Sequence, residues 1–133
     1  MKRRLDTPLS LRLRVGDDAR IGPGKVALLE AIAGGESLLE AAGRLQMSSR
    51  RAWLLIDAMH QAFGRPLVVL ADEPASAPPD DPGAAPVRLS AFGAAVLTAY
   101  QAVQAEAARA MARHFDPLLR DPIPPAGADP EHR

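Results

Sequence analysis

Four consecutive residues, Ser48, Ser49, Arg50 and Arg51, are the best placed to do chemistry. Two hydroxyls followed by two guanidinium groups at the head of an amphipathic stretch suit a polyanion. Hydroxyls and free backbone N–H groups in a leading helical turn take phosphate, and an arginine pairs with the outer edge of guanine. The spacing assigns Arg50 to base contact and Arg51 to phosphate, with solvated surface charge as the alternative for both. Leu54 shares the face of Arg50, where it touches a thymine methyl or fills a contact with a partner, and Asp57 follows one turn later. Trp53, at the edge of the apolar stripe, either stacks on a nucleic-acid sugar or packs in the core, and packing is the commoner fate of a lone tryptophan. Ser37, at the head of a preceding short helix, and Arg88, in a later strand, complete the candidate contacts.

Catalytic and metal chemistry has no comparable support. His60, His114 and His132 are scattered, with no second histidine or acid at metal-ligand spacing. Gly22-Pro23-Gly24 lacks the third glycine of a dinucleotide fingerprint, and neither a Walker-type Gly-Lys-Ser/Thr nor a Gly-x-Ser-x-Gly elbow occurs. With no cysteine, disulfides and thiolate metal sites are excluded. The expectation is a protein that is not an enzyme and needs no cofactor or metal.

Positioning those residues requires a scaffold, and the chain punctuates one clearly. Leu9 to Val15 alternates apolar and polar residues as a strand with one buried face does, and Gly16-Asp17-Asp18 ends it. Gly22-Pro23-Gly24 precedes a helix with Val26, Leu29, Ile32 and Ala33 at helical spacing, stopped by Gly34-Gly35. Ser37 and Glu40 form a capping box for a short helix from Leu38 to about Leu45. Ser48 then caps a longer helix to Phe63, closed by Gly64 and Pro66. On that helix Ala52, Leu55, Ile56, Met59 and Phe63 share one side, while Arg50, Leu54, Asp57 and Gln61 share the other. Leu67 to Ala71 and Val87 to Leu89 read as a hairpin. Ser90 caps a long alanine-rich helix to Phe115 whose apolar stripe is Phe92, Val96, Tyr100, Val103, Ala107, Met111 and Phe115, and Asp116-Pro117 ends it.

This order of strand, three helices, hairpin and long helix predicts a mainly α fold with a small β-hairpin wing, a winged helix-turn-helix. The expected divisions are a flexible N-terminus at 1–8, the winged domain at 9–89 with its wing loop at 72–86, a long dimerisation helix at 90–116, and a disordered Pro-rich tail at 117–133. The long helix has more apolar residues than one hairpin covers, so Phe92, Val96, Tyr100, Val103, Ala107 and Met111 are expected at a homodimer interface, the alternative being packing on the first helix.

Length and charge agree with one such domain. The 133 residues are 47% apolar and carry no net formal charge. The balance is uneven, however, with eleven Lys/Arg against seven Asp/Glu up to Arg65 and five against nine beyond it. Phosphate binding depends on where cations sit, so a basic front half suits nucleic acid. No apolar run approaches the roughly 20 residues that span a bilayer, and Arg12 and Arg14 interrupt the candidate leader, so a soluble cytoplasmic protein is expected.

The segments Arg20–Lys25, Leu28–Ile32, Ser37–Leu45 and above all Met47-Ser48-Ser49-Arg50-Arg51-Ala52-Trp53-Leu54-Leu55-Ile56-Asp57 resemble the N-terminal domain of ModE-type, molybdate-responsive transcriptional regulators. A weaker likeness extends to LysR-type regulators. The resemblance to ModE-type regulators continues through Phe63–Val68 and Arg88–Leu97, covering roughly Leu9 to Tyr100. The resemblance implies a winged-helix dimer on a palindromic operator, with the long helix after the wing packing on its twin. Three departures qualify it. The family's full-length members carry C-terminal molybdate-binding domains, whereas this chain continues into a Pro-rich tail, so no molybdate is expected on it. The family's wing is usually glycine-rich, while Asp72, Glu73, Asp80 and Asp81 here would repel phosphate. Ser49 stands where an aromatic residue is common and Gln46 where the turn has glycine, which points to a different operator. The expected partners are double-stranded DNA and a second copy, and the expected function is transcriptional regulation. The alternative is a winged-helix module that has abandoned DNA for another protein.

Overall fold

Three serines set where three of the four described helices begin. The Ser37 hydroxyl accepts from the Glu40 N–H at 3.1 Å while the Ser37 N–H donates to Glu40 Oε1 at 2.9 Å, closing the capping box. Ser48 Oγ accepts from the Arg51 N–H at 3.0 Å, and Ser90 Oγ from the Gly93 N–H at 2.9 Å. Each satisfies a donor that helix geometry leaves without a backbone partner. The computed structural model describes residues 9–16, 19–71 and 86–119. Its elements run β1 (Leu13–Val15), β2 (Ala19–Ile21), α1 (Pro23–Ala33), α2 (Leu38–Arg44), α3 (Ser49–Phe63), β3 (Val68–Leu70), β4 (Val87–Leu89) and α4 (Ala91–Leu119). The fold is mainly helical, with two small antiparallel hairpins and a long C-terminal helix, an arrangement compatible with a winged helix.

The first hairpin corrects the expected single strand. Only Leu13–Val15 is extended, and Gly16, at φ +68°, turns the chain so that Leu13 faces Ile21, Arg14 faces Arg20 and Val15 faces Ala19. The alternation was legible over Leu9–Val15, but the three-residue return strand is too short to carry a period of its own. Leu13 is consequently 38% exposed, while Leu11 and Val15 pack against the core.

Pro23 opens α1 as its first residue, where its fixed φ fits and its missing N–H costs nothing, so the Pro-Gly pair lies inside the helix. Leu28, absent from the expected stripe, is fully buried, whereas Ala33 is exposed. Around α1 the body Ser10–Ala102 gathers Ile21, Leu29, Leu38, Ile56, Met59 and Leu67 into one core. α3 delivers Ala52, Ile56 and Met59 to it as expected, with Leu55 and Phe63 half-buried at the margin.

The second hairpin pairs Val68 with Leu89, Val69 with Arg88 and Leu70 with Val87. Its base is welded to α4. The Ser90 N–H donates to the Leu67 carbonyl at 2.8 Å, and the Ser90 hydroxyl donates to the Pro66 carbonyl at 2.7 Å. One turn later Gly93 brings its Cα so close that a Cβ there would overlap the Leu67 carbonyl oxygen. The wing between, residues 72–85, lies outside the described residues, as do the expected flexible N-terminus at 1–8 and the tail from 120.

The helix α4 also runs further than expected, through Asp116 and Pro117 to Leu119. A proline biases its predecessor away from helix without forbidding it, and only two residues follow Pro117 before the helix ends. Among the described residues, 103–119 form, with Leu9, a separate compact unit in which the Gln104 amide donates to the Leu9 carbonyl at 3.0 Å.

Gly93→Ala is expected to lower stability by about 1–3 kcal/mol, because backbone rather than a flexible side chain must yield. Gly43→Ala, where a Cβ meets nothing within 4 Å, is expected to gain roughly 0.5–1 kcal/mol from helix propensity. Urea denaturation of both variants checks the pair; midpoints moving the same way would remove the close approach as the explanation.

Candidate nucleic-acid interface

The turn between α2 and α3 is built from backbone hydrogen bonds. The Gln46 N–H donates to the Gly43 carbonyl at 3.2 Å and the Met47 N–H to the Ala42 carbonyl at 3.1 Å, a Schellman closure in which the residue after the cap must be left-handed. That residue is Gln46, at φ +57°, the one non-glycine with positive φ among the described residues. Glycine is usual in this conformation, and the same closure after α1 has it: Gly35 sits at φ +94°, with bonds from Gly35 and Glu36 to Ile32 and Ala31. Met47 then packs against the core, and Ser48 starts α3. Two helices at a short, rigid turn hold the head of α3 in a fixed place.

That head is open. Ser48 is exposed and Ser49 half-buried, while Arg50 and Arg51 are exposed. The Ser48 hydroxyl oxygen is engaged by the Arg51 N–H, while its proton has no acceptor among the described residues. Helix geometry leaves the amides of Ser49 and Arg50 without acceptors in the helix. Among the described residues, neither Arg50 nor Arg51 makes an ion pair or a side-chain hydrogen bond. This contrasts with the other cations nearby. Arg44 donates from Nε to Glu36 at 2.8 Å, and Arg65 lies 4.2 Å from the Phe92 ring centroid. The outward stripe holds as expected: Leu54 is 53% exposed and Gln61 exposed, with Asp57 partly so.

Trp53 belongs elsewhere. Only 9% exposed, it lies in the core with its ring edge-on to His60, centroids 5.7 Å apart. A residue so placed presents little surface to a sugar, and its role in the structure is packing. Ser37 uses its hydroxyl oxygen and its N–H within the capping box. The carboxyl of Glu40 is held below its ordinary range first by the Ser37 backbone N–H, then by the Ser37 hydroxyl, with the field of Arg44 assisting. Arg88 is committed to the hairpin, donating to the Ala71 carbonyl at 3.2 Å and the Leu89 carbonyl at 3.3 Å.

The expected dimer stripe divides. Tyr100 is 3% exposed and donates its hydroxyl proton to the Leu11 carbonyl at 2.7 Å. Phe92 meets Phe63 edge-on at 5.6 Å, and Val96 packs on the same core. These three are satisfied within Ser10–Ala102, because the first turns of α4 are needed to close that core. In the second unit Val103 is 44% exposed, Ala107 and Met111 are half-buried, and Phe115 and Leu118 are 50% and 68% exposed.

Two residues were missed by sequence reasoning. His60 accepts a backbone hydrogen bond from Val68, a role that nothing in its spacing reveals. Gly93, in contrast, had a signal: a lone glycine inside an alanine-rich helix carries a packing reason more often than none.

No described helix is long and apolar enough to cross a membrane, and among the described residues no cluster of His, Cys, Asp or Glu could hold a metal ion. No family model and no curated protein matches the chain, so the likenesses to ModE-type and LysR-type regulators stand on the quoted segments alone. Among solved structures the chain is similar to ArgP from Mycobacterium tuberculosis, at 23% identity and a TM-score of 0.48, over 68% of this chain and 30% of that one. The chain thus spans less than a third of that structure.

Gln46→Gly is expected to raise stability by about 1 kcal/mol, since a side chain in the left-handed region costs roughly 1–2 kcal/mol and glycine returns part of that as backbone entropy. Gln46→Val should lower stability by at least as much. Thermal melts of the two variants against wild type provide the measurement.

Proposed function

We propose that the chain is a transcriptional regulator that binds double-stranded DNA through the leading turn of α3 and acts as a homodimer on a palindromic operator. The observation that carries this is the state of that turn: two exposed arginines without a partner among the described residues, two amides without acceptors in the helix and a hydroxyl proton, all at one helix start held by a rigid turn. A helix-turn-helix enters the major groove with this end foremost, its first helix crossing the backbone. Arg50, on the outward stripe with Leu54 and Asp57, is the base reader. Arg51, beside the cap, takes phosphate. The resemblance of Met47–Asp57 to ModE-type regulators supports the same role.

The distal half of α4 is the proposed pairing surface, with Val103, Ala107, Met111, Phe115 and Leu118 as its apolar residues. This replaces the longer stripe, because Phe92, Val96 and Tyr100 are used inside the protomer. Twofold symmetry would set two recognition helices about 34–36 Å apart, one turn of DNA, or a multiple of it. The exposure of Leu39, at 58%, and of Leu54, at 53%, is the observation that favours a protein partner instead.

Selection of bound sequences from a random DNA pool decides between these, with enriched palindromes expected and no retention on DNA at low salt favouring the protein partner. Arg50→Ala should weaken specific binding by about 1–3 kcal/mol and relax one base position. Arg51→Ala should weaken all sequences alike and flatten the salt dependence by about one counterion. Binding untouched by both substitutions would exclude α3 as the reader. For the dimer, Val103→Glu is expected to shift sedimentation from two copies to one while leaving thermal unfolding of the Ser10–Ala102 body in place.

A further inference from the structure

His60 stands where three elements meet. From α3, its Nε2 accepts the N–H of Val68, the first residue of β3, at 3.1 Å. The ring is half-buried and stands perpendicular to the Trp53 indole, at an interplanar angle of 88°. The other end of the same peptide unit, the Leu67 carbonyl, receives the Ser90 N–H and lies against Gly93 of α4. One imidazole lone pair therefore fixes α3 to the peptide on which the hairpin and α4 both rest.

An imidazole nitrogen accepts only in the neutral ring, and here the proton must sit on Nδ1. We propose that His60 is a proton-operated latch between α3 and the β3–β4 hairpin. Protonation places a proton on Nε2, turning the acceptor into a donor that faces another donor, and the Val68 N–H is released. The environment is set for this. Burial holds the imidazole below its ordinary value, outweighing the field of Asp57, which favours the cation from one turn earlier on α3. Among the described residues no charged group of α1, the hairpin or α4 adds to that balance. Because the folded value lies below the unfolded one of about 6.5, the latch contributes stability that is fully present above about 6.5 and is lost as pH falls through the lower folded value. Only this junction opens first, since the Ser90 hydrogen bond to Leu67 and the close packing of Gly93 involve no titrating group.

The test uses the full chain, labelled with nitrogen-15. Long-range proton–nitrogen correlation at about pH 7.5 should show the His60 proton on Nδ1, and titration should place its midpoint below about 6.5. Between about pH 7.5 and about pH 5, protection of the Val68 amide from exchange should fall roughly tenfold more than that of the Ala94 amide. In His60→Gln an amide oxygen replaces the lone pair at every pH, so its melting temperature should fall less than that of wild type over the same range. A proton found on Nε2, a midpoint at or above about 6.5, or equal acid sensitivity of His60→Gln and wild type would each overturn the latch. Should His60→Gln not fold, the tautomer and the titration of wild type decide alone.

Discussion

The peptide unit between Leu67 and Val68 is the constraint on which the rest of the structure depends. Its carbonyl holds the start of α4 through Ser90, and its N–H holds the end of α3 through His60. Both flanking side chains are buried. A buried peptide with either group unpaired loses on the order of 1–3 kcal/mol, so this position is strongly over-determined. Gly93 makes the arrangement possible by removing the one atom that would keep α4 at a distance. The hairpin base, the third helix and the start of the long helix are consequently fixed together.

With α3 held at its far end by that peptide and at its near end by the Schellman closure, its leading turn is free to stay open. Burial of Ala52, Ile56 and Met59 orients the helix, and the cap at Ser48 satisfies the third amide. What remains unsatisfied is what a ligand would satisfy. Two arginines with no ion-pair partner among the described residues cost little in water, but they concentrate positive potential where two amides already point outward. Of the cations near this turn, Arg44 and Arg65 are occupied elsewhere, and among the described residues Arg50 and Arg51 have no such partner.

Much of this was legible in residue order. Capping serines, glycine stops and the apolar stripe of α3 are local signals, and Ser37, Ser48, Ser90 and Gly64 all stand where those signals put them. The return strand Ala19–Ile21 was not legible, because three residues carry no period. The division of the α4 stripe was equally hidden. Phe92 and Tyr100 have the same spacing and character as Val103 and Met111, and only the depth of the core under the first turns separates them. Trp53 and His60 follow the same rule. Their environment comes from segments distant in sequence, so no window around them describes it.

Trp53 carries one more consequence. It is the sole tryptophan of the chain, buried in the helix that bears the exposed arginines and set edge-on to an imidazole. A protonated imidazole in contact with an indole withdraws electron density from its excited state, whereas a neutral one disturbs it little. The emission of this protein is therefore a native optical gauge of α3, with no dye or added residue required.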